Sequence, residues 1–125
     1  MNVILSIKPK FCEKIINREK KVEFRKRMFR SDEIKLVYMY STYPIQKIVG
    51  SFEIDSVVEG SPVELWKKFK AISGMSESEF FQYFGSRKIG FAIKIKTVNP
   101  YNPPIDPNKI FPRFIPPQSF RYIKI

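Results

Sequence analysis

The sequence contains no histidine and a single cysteine, Cys12. The usual general base and the commonest metal ligand are therefore both missing, so zinc, haem and iron–sulfur chemistry have no ligand set to draw on. One cysteine forms no internal disulfide, and a thiol nucleophile would lack the histidine that activates it. Cys12 falls in an apolar helical stripe and is read as a small core residue. No apolar run approaches the roughly 20 residues of a membrane span, and the N-terminus shows no signal-peptide pattern, so the expected location is the cytoplasm, away from any membrane. Catalysis, if any, would have to use Lys, Tyr, Ser, Thr, Glu or Asp, and no metal or cofactor is implied.

What is present is a chain of 125 residues, the length of one domain with a proper core, spanning 1–125. Phe and Tyr supply 12 and 6 residues, too many for a disordered chain. The formal net charge of +11 is unevenly placed. Residues 1–30 carry ten Lys/Arg against three acids, residues 31–86 five against eight, and residues 87–125 eight against Asp106 alone. If the fold joins its two ends, their charge merges into one face suited to a polyanion. The plainer alternative is a solvated surface that only aids solubility.

Asn2–Ile7 reads as a strand, and Pro9 opens a short helix with Phe11, Cys12, Ile15 and Ile16 on one stripe. Lys20–Arg27 reads as a second strand, with Val22 and Phe24 on one face and Lys21, Glu23, Arg25 and Arg27 on the other. Ile34–Tyr40 and Lys47–Val58 read as further strands. Ser61-Pro62-Val63-Glu64 and Ser76-Glu77-Ser78-Glu79 each match the S-x-x-E capping box, and Gly85 ends the second of the two helices they announce. These helices are expected to bury Leu65, Trp66 and Phe69, and Phe80, Phe81 and Phe84.

Arg87–Val98 is the clearest strand. Seven of the ten prolines then fall between Pro100 and Pro117. Because proline donates nothing to a ladder, this stretch is expected to be an extended arm on the surface, with Phe120–Ile125 returning as a last strand. Five or six strands with the helices inserted as a block predict an α+β fold, a small mixed β-barrel with three short helices and a Pro-rich C-terminal arm, and not a doubly wound sheet.

Three constellations stand out as candidates for function. The first is Arg18-Glu19-Lys20-Lys21-Val22-Glu23-Phe24-Arg25-Lys26-Arg27, where a carboxylate stands beside forked guanidinium donors. That arrangement suits a nucleotide better than bare phosphate, although charge on an exposed edge strand also guards against aggregation. The second is Tyr38-Met39-Tyr40-Ser41-Thr42-Tyr43-Pro44, an aromatic strand ending in a polar turn that either stacks bases or packs in the core. The third is Pro117-Gln118-Ser119-Phe120-Arg121-Tyr122, where Gln118 and Ser119 offer directional polar groups and Arg121 adds charge, unless the segment is only a structural corner.

The run Ile4–Arg27, "ILSIKPKFCEKIINREKKVEFRKR", resembles the opening of ASCH domains of the PUA-like superfamily, whose pattern is S-I-x-P-x-[YF]-x-x-x-I followed by G-x-K-x-x-E-x-R. The resemblance continues through Tyr40-Ser41-Thr42-Tyr43-Pro44, Lys47-Ile48-Val49-Gly50, Phe52-Glu53-Ile54, Gly90-Phe91-Ala92-Ile93 and Pro116-Pro117-Gln118-Ser119-Phe120. It implies a β-barrel whose cleft is lined by Lys20, Glu23 and Arg25, and a module that binds RNA, in some members with a link to translation or transcriptional regulation. Arg18 stands where many members have Gly, which leaves the turn less free to reach positive φ.

Some ASCH branches resemble enzymes. One acts on acetylated cytidine through a Lys and a Thr on this strand; here Lys20 is in place and Glu23 takes the Thr position. Another is proposed to cleave RNA with Tyr, Lys and Ser, and this chain offers Tyr40, Lys47 and Ser119. The reading is therefore an RNA- or nucleotide-binding module, with Lys20, Lys21, Glu23, Arg25, Arg27, Tyr40, Ser41, Lys47, Gln118, Ser119 and Arg121 as its candidate contacts. The alternatives are a metal-independent hydrolase of RNA or modified nucleosides using Lys20, Glu23, Tyr40, Lys47 and Ser119, and a protein-interaction module. Oligomeric state stays open.

Overall fold

A computed structural model describes residues 1–124, the side chain of Ser31 excepted. Six strands form one mixed sheet in the order β2-β5-β4-β3-β1-β6. The chain runs β1 (Asn2–Ile7), α1 (Pro9–Ile16), β2 (Val22–Arg25), β3 (Val37–Ser41), β4 (Lys47–Gly60), α2 (Pro62–Phe69), α3 (Glu77–Phe84), β5 (Gly90–Ile105) and β6 (Phe120–Ile123). β1 pairs in parallel with β3, and every other ladder is antiparallel. β1 lies between β3 and β6, which explains its nearly unbroken apolar sequence. The sheet curls until its β2 edge approaches β1 and the entry to β6, where side chains bridge a seam without a ladder.

Local sequence explains the helix ends. Pro9 sits in the first turn of α1. Both capping boxes form: Ser61 accepts from the Glu64 amide and Ser76 from the Glu79 amide, and each glutamate accepts from its serine's amide in return. Gly85 closes α3 with φ of 59°. The helices bury Leu65, Phe69, Phe80 and Phe84 against Val22, Phe24 and Ala92, whereas Trp66 and Phe81 are only partly covered. The opposite face of the sheet packs Val3, Leu5, Met39, Phe52 and Ile93 against Cys12 and Ile15 of α1. Alternation along β5 thus feeds two cores at once, with Ala92 in one and Ile93 in the other.

Three expectations are corrected. β2 is shorter than Lys20–Arg27, because the amides of Lys20 and Lys21 bond to Lys14 and Ile72 instead of a neighbouring strand. β3 starts at Val37, after a 3₁₀ turn at Ser31–Glu33. The Pro-rich stretch is not a free arm along its first part. β5 runs on through Pro100, Pro103 and Pro104 to Ile105, which lies opposite Ile48 of β4. Beyond Lys94 the other side of β5 has no β2 partner, so prolines fit that edge without costing ladder bonds. Residue 125, the end of the expected last strand, lies outside the described residues.

Candidate functional site

The curled sheet, α3 and the start of α1 enclose a cleft of about 810 Å³. One wall is β2 with its flanks, from Lys20 to Arg27; α3 supplies Glu79, Gln82 and Tyr83; Ser6–Lys8, Phe11, Arg87 and the Gln118–Ser119 turn complete it. Lys20, Glu23, Arg25, Arg27, Gln118 and Ser119, drawn from the first and third constellations, therefore line one cleft.

Arg25 forms the centre of the cleft floor and is only 8% exposed. Its Nη1 donates to the Ser6 carbonyl at 3.3 Å and to Glu23 Oε2 at 3.1 Å. Its Nη2 donates to the Ser119 carbonyl at 3.2 Å and to Ser119 Oγ at 2.8 Å. Both terminal nitrogens are thus occupied by protein, and the fork read as a nucleotide contact spans the seam from β2 to β1 and the start of β6. The Arg25 Nε–H is buried without a partner among the described residues. Glu23, also buried, keeps its second carboxylate oxygen uncommitted among the described residues.

Lys20 lies deeper, 1% exposed, yet it lines the same cleft. Its Nζ donates to the Ser73 carbonyl at 2.7 Å and sits 5.0 Å and 5.1 Å from the ring centres of Phe11 and Phe24, which attract a cation through their π faces. Burial pulls its pKa down to about 8, against an opposing pull from Glu23. The loop that supplies Ser73 fits closely over this lysine. Gly74 has φ of +62°, and a Cβ there would stand 2.6 Å from Lys20 Cβ, so only glycine fits. Lys14 Nζ grips the next carbonyl, that of Gly74, at 3.0 Å.

Lys8, Lys26, Arg27 and Arg87 stand exposed around the rim. Lys26 lies over the Tyr83 ring at 4.9 Å, and burial raises the Tyr83 pKa. The rim acid Glu79 is neutralised by Lys10, whose hydrogen bond, with one from the Ser76 amide, holds its carboxyl well below the usual range. The candidate contacts read from the sequence do not include Lys8, Lys26, Tyr83 or Arg87, although Lys26 stands within the first constellation. Lys8 and Lys26 flank residues already identified, but no local pattern marks Tyr83 or Arg87, which the fold brings in from α3 and its exit.

The remaining candidates lie elsewhere. Tyr40 and Lys47 line a second pocket of about 320 Å³ with Gln46, Asp106, Asn108 and Phe114, so the Tyr, Lys and Ser trio does not share one cavity. Ser41 is buried beside Cys12, whose thiol burial pushes up to about 12. Lys21 is exposed but does not line the cleft, and Arg121 stacks over the Phe111 ring at 5.3 Å. Among the described residues no three His, Cys, Asp or Glu side chains group to hold a metal, and no helix is long and apolar enough to cross a membrane.

Comparison with known proteins places this geometry among ASCH domains. The chain is 27% identical over 123 residues to an ASCH domain-containing ribonuclease of Zymomonas mobilis, covering 97% of this chain and 83% of that protein. The crystal structure of the Zymomonas mobilis ASCH protein superposes with a TM-score of 0.89 at 26% identity, over 98% of this chain and 87% of that one. A Tyr-to-Phe mutant of the same protein gives 0.91 at 25% identity, over 98% and 90%. Residues 1–116 match the family described as a domain of unknown function (DUF365), and the chain belongs to that family, which is of the ASCH type.

Proposed function

We propose that this protein binds RNA or a nucleotide in the cleft between β2 and α3, as a module that acts in regulation through the RNA it holds. The observation that carries the reading is the arrangement of charge: four exposed cations on the rim surround a buried floor where a carboxylate stands beside two cations. Rim cations suit phosphates, which need charge in water, and a buried carboxylate suits a base or ribose donor. The Zymomonas mobilis relative, an ASCH domain-containing ribonuclease, supports RNA as the ligand class. Titrating labelled single-stranded RNA at low salt tests it. Micromolar binding that is lost when Lys26 and Arg87 are both changed to Ala is the expected result; binding unaffected by that change overturns the assignment of the cleft.

A second reading, RNA hydrolysis, has its own observation. An amine at the cleft floor with a pKa near 8 exchanges its proton close to neutrality, as a general acid or base must. In this reading Lys20 moves the proton, and Tyr40 and Lys47 of the second pocket contact the neighbouring part of the strand. RNA cleavage in the presence of a chelator, abolished in Lys20→Ala while RNA binding persists, would select hydrolysis over simple binding.

A further inference from the structure

We propose that the cleft floor reads the imide edge of uracil, with Lys20, Glu23 and the Arg25–Ser119 pair presenting donor, acceptor and donor to its O4, N3–H and O2. The inference rests on the nucleotide-binding reading above and names the base that reading leaves open.

The hydrogen-bonding capacity left over on the floor carries the argument. Lys20 uses one of its three N–H groups on Ser73, which leaves donors on a side chain that lines the cleft. Glu23 commits Oε2 to Arg25 and keeps Oε1 as an acceptor without a donor among the described residues. Arg25 keeps the buried Nε–H unclaimed. Ser119 Oγ accepts from Arg25, so its own hydrogen stays free to donate. Hydrogen bonds chain part of this set together, since Glu23 holds Arg25 and Arg25 holds Ser119, and Lys20 lines the same cleft.

A buried donor that nothing satisfies costs stability, and a ligand acceptor placed there recovers it. The Watson–Crick edge of uracil runs acceptor, donor, acceptor. Cytosine and adenine would set a ring-nitrogen lone pair against the Glu23 carboxylate. Guanine satisfies Lys20 and Glu23, then turns its amino group toward the Arg25 and Ser119 donors. Phe11 and Tyr83, both in the lining, supply apolar surface for a flat ring.

The test is calorimetric titration of the intact protein with the 5′-monophosphates of uridine, cytidine, guanosine, adenosine and N3-methyluridine. The phosphate is common to all five, so differences report the base. Uridine is expected to bind about tenfold or more tighter than cytidine, and methylation at N3 to remove that advantage. Glu23→Gln, which supplies an amide donor, is expected to shift preference from uridine toward cytidine; if that variant does not fold, the ligand series on the wild-type protein decides alone. Equal binding of all bases overturns the uracil assignment and leaves nucleotide binding intact. Preference for guanosine overturns it too. No binding of any nucleotide or RNA at low salt removes both readings.

Discussion

Arg25 and Ser119, separated by 94 positions, are joined by two hydrogen bonds from one guanidinium nitrogen, 3.2 Å to the Ser119 carbonyl and 2.8 Å to its Oγ. The contact closes the curled sheet between its first edge and the strand that returns from the C-terminus. A residue that resembles a ligand contact by its place in an ASCH motif is therefore also the bond that holds the barrel seam shut. In the proposed function binding and folding share this side chain, and mutational data on Arg25 must separate them.

Removing Arg25 strands a carboxylate. Arg25→Ala deletes the charged partner of a Glu23 that is 6% exposed and leaves two carbonyls of the seam without their donor. The expected loss is about 3–5 kcal/mol in urea unfolding, the range for breaking one side of a buried ion pair. Changing Glu23 to Ala as well should recover part of that loss, with a coupling of about 1–3 kcal/mol in the double-mutant cycle. Additive single losses would show that the pair does not act as a unit.

Lys20 makes stability depend on pH with an unusual sign. Its folded pKa of about 8 lies below the ordinary 10.5, so between these values the unfolded chain binds the extra proton. Stability contributed at this site then rises with pH across that window, and below pH 8 the buried charge imposes its full penalty, on the order of 3 kcal/mol. Lys20→Met removes the titration. The stability difference between variant and wild type should therefore favour the variant most at pH 7 and shrink toward pH 10.5, less whatever the Ser73 bond contributes. A difference that stays constant over that range would falsify the lowered pKa.

Residue spacing made legible what short-range chemistry controls. The two capping boxes and the Gly85 stop depend on neighbours within a few positions, and each lies where the sequence placed it. Misreadings have long-range causes. Pro100, Pro103 and Pro104 argue against a strand only if both edges are paired, and one-sided pairing of β5 is a property of the whole sheet. Tyr83 and Arg87 belong to the cleft because α3 packs on β2 through Phe24 and Phe80, whose ring centres are 4.8 Å apart. Tyr40 looked equivalent to Ser119 as a site residue, but its ring packs with Ile4, Ile48 and Phe114 and opens on the other pocket.

Arg18 tests the resemblance through backbone geometry. The residue adopts φ of 65°, the left-handed conformation that glycine enters freely, at a position where many ASCH domains have Gly. Its exposed side chain makes no close packing that a glycine would forfeit. Arg18→Gly is expected to stabilise the fold by about 0.5–1 kcal/mol, because relief of left-handed strain exceeds the added freedom of the unfolded chain. Arg18→Ala, which keeps the strain, should change little. The urea midpoints of the two variants make the comparison.

Salt dependence can assign the cleft without any catalytic assay. Each phosphate neutralised on a single strand releases counterions and contributes about −0.7 to the slope of log K against log salt. Lys8, Lys26, Arg27 and Arg87 are exposed on the rim, whereas the equally exposed Lys21 lies outside the lining. Lys26→Ala and Arg87→Ala should each weaken RNA binding at low salt and flatten that slope by about 0.7, the loss of one phosphate contact. Lys21→Ala removes the same unit of charge from the protein and should leave the slope unchanged, which separates a local contact from the overall field. If Lys21→Ala flattens the slope as much as the rim variants do, RNA follows the net charge of +11 and the cleft has no privileged role. Because neither rim side chain takes part in the Arg25 seam, circular dichroism and thermal midpoints should match wild type, and any affinity lost is then lost from the bound state alone.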